Sequence, residues 1–372
     1  MKSSSEGRVF GLDILRAFAI LFVIYSHSFF LIVDHINERA YSFFSLDGVT
    51  LFFVLSGFLI GGILLRIINE KEFNSYDLMN FWIRRWFRTL PNYFFILLLL
   101  LGLSILLKRE LSTGLPSYFF FLQNFISPHP SFFPEAWSLS VEEWFYLMIP
   151  MSLYFLIRFT GIPRKSLVLI IVFTLIALVT IFRAYRVSHL VINDFDSWDN
   201  YIRKTVLCRL DSIMFGFLGA WISFYHPEKW TNNKLAVFIP GLILIFIPQV
   251  VSYLYGYTPV FNNYLSLTVT AIGTFLMLPL LSNYRNAKGI FARFMRFISI
   301  HSYAMYLVNF SLVQLIIIPS LTTTILLFTS SHLSLSIIRY ILYWLLTFLL
   351  SMLLYRYFEK PMMGLRERFR SR

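Results

Sequence analysis

The chain has 372 residues, 58% of them hydrophobic and only 14% charged, with a formal net charge of +13. A soluble domain carries about a quarter charged residues, so this composition and the mean hydropathy of +0.69 exclude a water-soluble globule, and the positive charge reads as a topology signal rather than a nucleic-acid footprint. The single cysteine, Cys208, excludes an intrachain disulfide and a cysteine-built metal centre; it reads as a small buried apolar residue.

Apolar runs of roughly 17–25 residues cross a bilayer as helices. Ten are present, near 10–33, 49–65, 89–107, 137–157, 166–183, 205–225, 235–254, 264–282, 298–320 and 335–357. The first run is too long for a signal peptide, and no small-residue cleavage site follows it. The expected architecture is an all-α, polytopic integral membrane protein of about ten transmembrane helices. It forms one domain over 1–372, with no internal repeat and no appended soluble domain. Ten spans put both termini on one side. The connections on that side carry 23 Lys and Arg and those on the other carry 7, with Arg209 and Arg339 inside spans, so both termini are expected in the cytoplasm. The basic C-terminal stretch EKPMMGLRERFRSR fits that side as a contact for anionic lipid.

Along the chain, the polar residues inside spans mark where chemistry is to be sought. The first span, GLDILRAFAILFVIYSH, carries Arg16 and His27. Eleven residues are about 16 Å of rise and about 20° beyond three full turns, so the two groups share one face, Arg16 nearer the cytoplasm and His27 nearer the outside. Gly57, Gly61 and Gly62 in the short second span suggest close helix packing. FWIRRWFRTLP sets Arg84, Arg85 and Arg88 at the cytoplasmic start of the third span, ahead of Pro91. Arginine forks there bind phosphate oxygens or anchor the helix to lipid headgroups. The fourth span opens AWSLSVEEWFYLMIP, placing Glu142 about 8 Å deep, beside His27 at about 9 Å. A carboxylate at that depth can orient a histidine base. Glu143, about 100° round the helix, suits an interfacial helix start.

Arg209 and Asp211 at the outer end of the sixth span belong either to this polar layer or to a structural ion pair. Tyr303, Tyr306 and Asn309, spaced three apart, form a polar stripe on the ninth span that lines a cavity or bonds neighbouring helices. His35, His129, His189, His226 and His332 fall in loops or boundary segments, and His301 reads as a packing residue. No phosphate-binding loop, dinucleotide glycine fingerprint, HExxH or GxSxG motif occurs, and no metal is expected. Two functions fit these residues. In one, a long nucleotide thioester such as acetyl-CoA enters from the cytoplasm, its phosphates on the arginines and its reactive end towards His27, which deprotonates an acceptor hydroxyl. In the other, a proton-coupled transporter of a lipid-linked or acylated sugar uses the same groups as a relay.

The motifs, in order, resemble the membrane acyltransferase-3 family of O-acetylases of lipopolysaccharide, peptidoglycan and exopolysaccharide. Arg16 and His27 match its Arg, ten residues, His signature; GVTLFFVLSGFLIGG its second-span motif; RRWFR with Pro91 its Arg-Arg-x-x-Arg motif. WSLSVEEWFYL matches the Trp-Ser-Leu-x-x-Glu motif with Glu142 as the carboxylate, and RLDSIMFG, SYAMYLVN and FEKP match later motifs. The resemblance implies transfer of acetyl from acetyl-CoA to a hydroxyl of a cell-surface glycan or glycolipid, by a multi-pass protein of a bacterial inner membrane. It assigns acyl-CoA handling to Arg84, Arg85 and Arg88 and the base to His27. Thr50 stands where members often have an acidic residue, Asn309 where many have histidine, and Trp144 where glutamine is common. Many members carry a C-terminal SGNH domain; without one, this chain is expected to act alone or with a separate periplasmic esterase or transferase partner.

Overall fold

The computed structural model describes residues 8–70, 72–109, 114–327, 329 and 331–368; the last residues of the basic C-terminal stretch lie outside these. Among the described residues there are helices and no strands. Ten helices follow the ten apolar runs: α1 Phe10–Ser28, α2 Gly48–Glu70, α3 Ser75–Leu106, α4 Ala136–Phe159, α5 Arg164–His189, α6 Leu210–Tyr225, α7 Lys234–Tyr255, α8 Ser266–Asn283, α9 Ile290–Val308 and α10 His332–Leu354.

Eight stretches among the described residues are long and apolar enough to cross a membrane. They contain all of these helices except α4 and α6. The 24-residue α4 carries Ser138, Ser140, Glu142 and Glu143. Ser138, Ser140 and Glu143 are buried in protein, where polar side chains are tolerated at membrane depth. The 16-residue α6 is apolar but short, and is preceded by the 3₁₀ turn Val206–Cys208. Cys208 is buried, as expected.

Trp82 Nε1 donates to the Tyr146 carbonyl and Thr89 Oγ1 to Glu143, so α3 and α4 are antiparallel. By contrast, α1 and α9 run in parallel: Asp13 meets Ser299 at one end and His27 meets Asn309 at the other. That is the relation two odd-numbered spans must have. Residues 10–11 with 284–285, Arg164 with Ile68, and Tyr225 with Asn69 gather at one end, the end rich in Lys and Arg.

Backbone contact between α2 and α6 is enforced by glycine. A Cβ at Gly57 would lie 1.9 Å from the Ile213 carbonyl oxygen, and one at Gly216 the same distance from that of Val54. Gly61 faces the Phe217 ring, whereas Gly62 faces open space and takes no part in this packing, contrary to the expectation from sequence. Small residues matter here because helices in lipid associate through close van der Waals contact. On the other side of α6, Asp211 pairs with Arg183 of α5 at 2.6 Å; both are buried, and Arg183 also donates to the Cys208 carbonyl and to Thr268 Oγ1.

Beyond Val308, α9 opens into a π-helix over Asn309–Ile317 before resuming as Ile318–Leu326. The cause is visible. Ser311 N–H, which in an α-helix would bond the carbonyl of residue 307, is taken by Glu135 Oε1 at 3.1 Å, and Glu135 Oε2 accepts Ser311 Oγ. A side chain inserted into the backbone ladder widens the turn.

Candidate active site

The 32 residues of α3 rise about 48 Å, more than the hydrocarbon core of about 30 Å can hold. Its first turns are opened by a capping box between Asn74 and Asp77, and the turns that follow carry Arg84, Arg85 and Arg88. Arg84, Arg85 and Arg88 line one wall of a 370 Å³ cavity, with Asp77, Asn80, Tyr76, Phe81, Ile63 and Ile67 making up the rest. That volume is in the range of small-molecule sites. Arg85 and Arg88 also line a second, central cavity of 110 Å³. The same two side chains thus line both cavities.

The central cavity holds Arg16, Ser56, Thr89, Glu142, Tyr146, Tyr303 and Tyr306. Arg16 is 3.9 Å from Asp13, which is itself held by Arg8 and Ser299. Glu142 accepts from Ser56 Oγ at 2.8 Å and from Tyr146 Oη at 3.1 Å. Sequence spacing paired Glu142 with His27, but the structure does not bring them together: Glu142 faces this cavity, and Glu143 is engaged by Thr89. Depth along two helices does not fix azimuth, and α4 turns Glu142 towards α2.

The partner of His27 is Asn309. Asn309 Nδ2 lies 2.9 Å from the Met305 carbonyl oxygen and 2.8 Å from that of Tyr306. Carbonyls only accept, so the amide orientation is fixed and Oδ1 faces His27 Nδ1 at 2.6 Å, with Tyr343 Oη also directed at it from 3.2 Å. A neutral imidazole must then carry its proton on Nδ1, which leaves the lone pair on Nε2. The ring packs on Phe310, 4.4 Å between centroids. The expected stripe on the ninth span is real. Tyr303 and Tyr306 line the central cavity, and Asn309 continues it one turn outward to His27. Tyr306 Oη donates to the Glu135 carbonyl at 2.9 Å, so Ser138 Oγ is the donor in its 2.6 Å contact with Tyr306.

Arg209 and Asp211 do not line this cavity. Asp211 belongs to the ion pair with Arg183, the structural alternative, whereas Arg209, fully buried, donates to Thr50 Oγ1 at 2.6 Å and lies over the Phe53 ring. Thr50 in turn donates to Asp47, so a carboxylate three residues earlier serves the position where Thr50 stands. Arg203 pairs with Asp199 at 2.6 Å and with Asp47 at 3.7 Å, and its guanidinium lies over Trp137. Burial pushes the Asp199 carboxyl up, but Arg203 and Lys204 more than offset this and hold it below the usual carboxylate range.

The residues that sequence reasoning missed are Ser56, Tyr146, Asp47, Arg203, Tyr343 and Glu135. Asp47 and Glu135 each stand one residue before a helix, where a carboxylate is commonplace. Only the Pro-Glu-Ala-Trp context of Glu135, directly ahead of the fourth-span motif, gave a signal.

Comparison with known proteins settles the family. The model of the acyltransferase domain matches residues 9–360. The chain belongs to the acyltransferase-3 family. It is 32% identical over 183 residues to O-acetyltransferase OatA of Staphylococcus aureus (strain NCTC 8325 / PS 47), covering 45% of this chain and 28% of that protein. Over 175 residues it is 31% identical to peptidoglycan O-acetyltransferase OatA of Listeria monocytogenes serovar 1/2a, covering 43% and 26%. The putative peptidoglycan O-acetyltransferase YrhL of Bacillus subtilis (strain 168) is 35% identical over 160 residues, covering 38% and 23%. The matched segment is thus about a quarter of the length of these relatives. No solved structure matches the chain. Among the described residues no cluster of metal-ligating side chains occurs.

Proposed function

We propose that this acyltransferase moves an acetyl group from cytoplasmic acetyl-CoA to a hydroxyl of an extracytoplasmic cell-surface carbohydrate, in a bacterial inner membrane. One observation carries the reading: Arg85 and Arg88 of α3 line both the 370 Å³ cavity, read here as the cytoplasmic one, and the central one. That cavity reaches Tyr306, one turn short of an imidazole whose tautomer is fixed.

In this reading Arg84, Arg85 and Arg88 hold the donor's phosphates, a task suited to forked guanidinium groups. Arg16 and the arginines of the central cavity favour an anionic or polarised carbonyl group there, with Glu142 held by Ser56 and Tyr146 as the balancing charge. His27 Nε2 takes the proton of the acceptor hydroxyl as that oxygen attacks the thioester carbonyl. Asn309 keeps the other imidazole proton in place. The thiolate leaves and is protonated, so the acetyl group moves from sulfur to oxygen. The acceptor proposed from the relatives' names is a glycan such as peptidoglycan, met directly or through a separate periplasmic partner; the chain is read as one domain. Family membership favours acyl transfer over proton-coupled transport.

The test is direct. Membranes containing the protein, given radiolabelled acetyl-CoA and a glycan acceptor, should label the glycan. His27→Ala should abolish labelling while the protein still inserts. Equal labelling by that variant would remove His27 from the chemistry.

A further inference from the structure

Asn309 is bracketed by contacts to one residue. Three positions before it, Tyr306 Oη donates to the Glu135 carbonyl; two positions after it, Ser311 gives both its N–H and its hydroxyl to the Glu135 carboxylate. Glu135 is 2% exposed. A buried carboxylate is costly, and at the start of α4 it could simply face that helix's own N–H groups. Both of its oxygens nevertheless accept from Ser311 of a different span. The diverted N–H is the one whose loss from the α-ladder coincides with the π-helix that begins at Asn309 and contains Phe310, the ring against which His27 packs.

We propose that Glu135 is a positioning residue for the transfer reaction: by capturing Ser311 it holds open the π-helix that presents Asn309 and Phe310 to His27. This rests on the reading of His27 as the base. Glu135 touches neither the donor nor the acceptor in this account. It acts by reach and geometry rather than by charge.

Two substitutions separate those properties. Glu135→Gln keeps the length, accepts from Ser311 N–H and donates to Ser311 Oγ. Glu135→Asp keeps the charge but is one methylene short of Ser311. The first is expected to hold kcat within about threefold of wild type, and the second to lower it about tenfold or more at unchanged KM for acetyl-CoA. In an Asn309→Ala background, Glu135→Asp should add less than about threefold, because both changes act on one arrangement. Wild-type kcat in Glu135→Asp, or a loss in Glu135→Gln as large as in Glu135→Asp, overturns the proposal. Should Glu135→Asp fail to accumulate, Ser311→Ala, which removes one of the two hydrogen bonds, is expected to lower kcat about three- to tenfold; an unchanged kcat overturns it.

A second readout does not depend on acyl transfer. The rate at which diethylpyrocarbonate modifies His27, followed by peptide mass spectrometry, should shift at least about threefold in Glu135→Asp and stay near wild type in Glu135→Gln. If wild type transfers no acetyl to any acceptor yet this shift is seen, the proposed function falls and the positioning role stands. An unchanged rate in Glu135→Asp overturns the positioning role whatever the activity.

Discussion

Replacing Asn309 by alanine removes the group that fixes the imidazole of His27. The lost contact is a 2.6 Å hydrogen bond between neutral partners, a half-buried imidazole and a buried amide. Such a bond is worth about 0.5–1.5 kcal/mol net, which biases one tautomer and ring orientation over the others by about 2- to 13-fold. Tyr343 keeps the Ile24 carbonyl as a partner, so it is not left stranded. The expected outcome is a fall of about tenfold in kcat, smaller than the 10²–10⁴ that general-base catalysis contributes in full and that His27→Ala should remove. Asn309→Asp provides a contrast. It offers His27 a charged acceptor but sets a carboxylate oxygen against the Met305 and Tyr306 carbonyls, now 2.9 and 2.8 Å from the amide nitrogen. That variant should lose about 1–3 kcal/mol of stability or more. The assay is initial-rate acetyl transfer in membranes normalised to protein present, with thermal unfolding of the detergent-purified variants. Wild-type kcat in Asn309→Ala would refute the reasoning.

Arg85→Ala should raise KM for acetyl-CoA about 10- to 150-fold, the worth of one charge-assisted hydrogen bond of about 1.5–3 kcal/mol, and Arg84→Ala should do less because Arg84 lines only the 370 Å³ cavity; donor titrations of initial rate check both. Asp211→Asn breaks the buried pair with Arg183 and should cost about 3–5 kcal/mol, seen as a large drop in Tm in detergent. The outer cluster around Asp199 should be insensitive to pH down to about 4. A carboxyl held below its ordinary value contributes stability that is present above the unfolded value, near 3.9, and is lost as pH falls through the lowered one. The Tm difference between wild type and Asp199→Asn, measured from pH 7 to 3, should therefore hold down to about pH 4 and begin to shrink only below it.

The spans were legible because hydropathy and the Lys and Arg count act on whole segments, and one misplaced residue does not alter them. Arg84, Arg85 and Arg88 share one cavity wall, as their spacing along one helix suggests. The azimuth of single side chains was not legible. Arg16 and His27 share a helix, so their relation could be computed. Glu142 and His27 lie on different helices, whose rotation is set by packing such as Gly57 against Ile213 and Gly216 against Val54. Asn309 looked like a departure from a histidine, yet the two carbonyls behind it make it the residue that sets the tautomer of His27. Glu135 and the π-helix escaped notice because helical periodicity assumes an unbroken backbone ladder, and here a carboxylate from another span breaks it.

The central claim is a path that carries acetyl from one side of the membrane to His27 on the other. Inside-out vesicles present the cytoplasmic face to the medium, and acetyl-CoA does not cross a bilayer. Radiolabelled acetyl-CoA added outside should therefore label glycan enclosed in the lumen when the wild-type protein is present, and should not do so with His27→Ala. Label appearing only on glycan added to the outer medium, or reaching the lumen equally well with His27→Ala, would contradict the account.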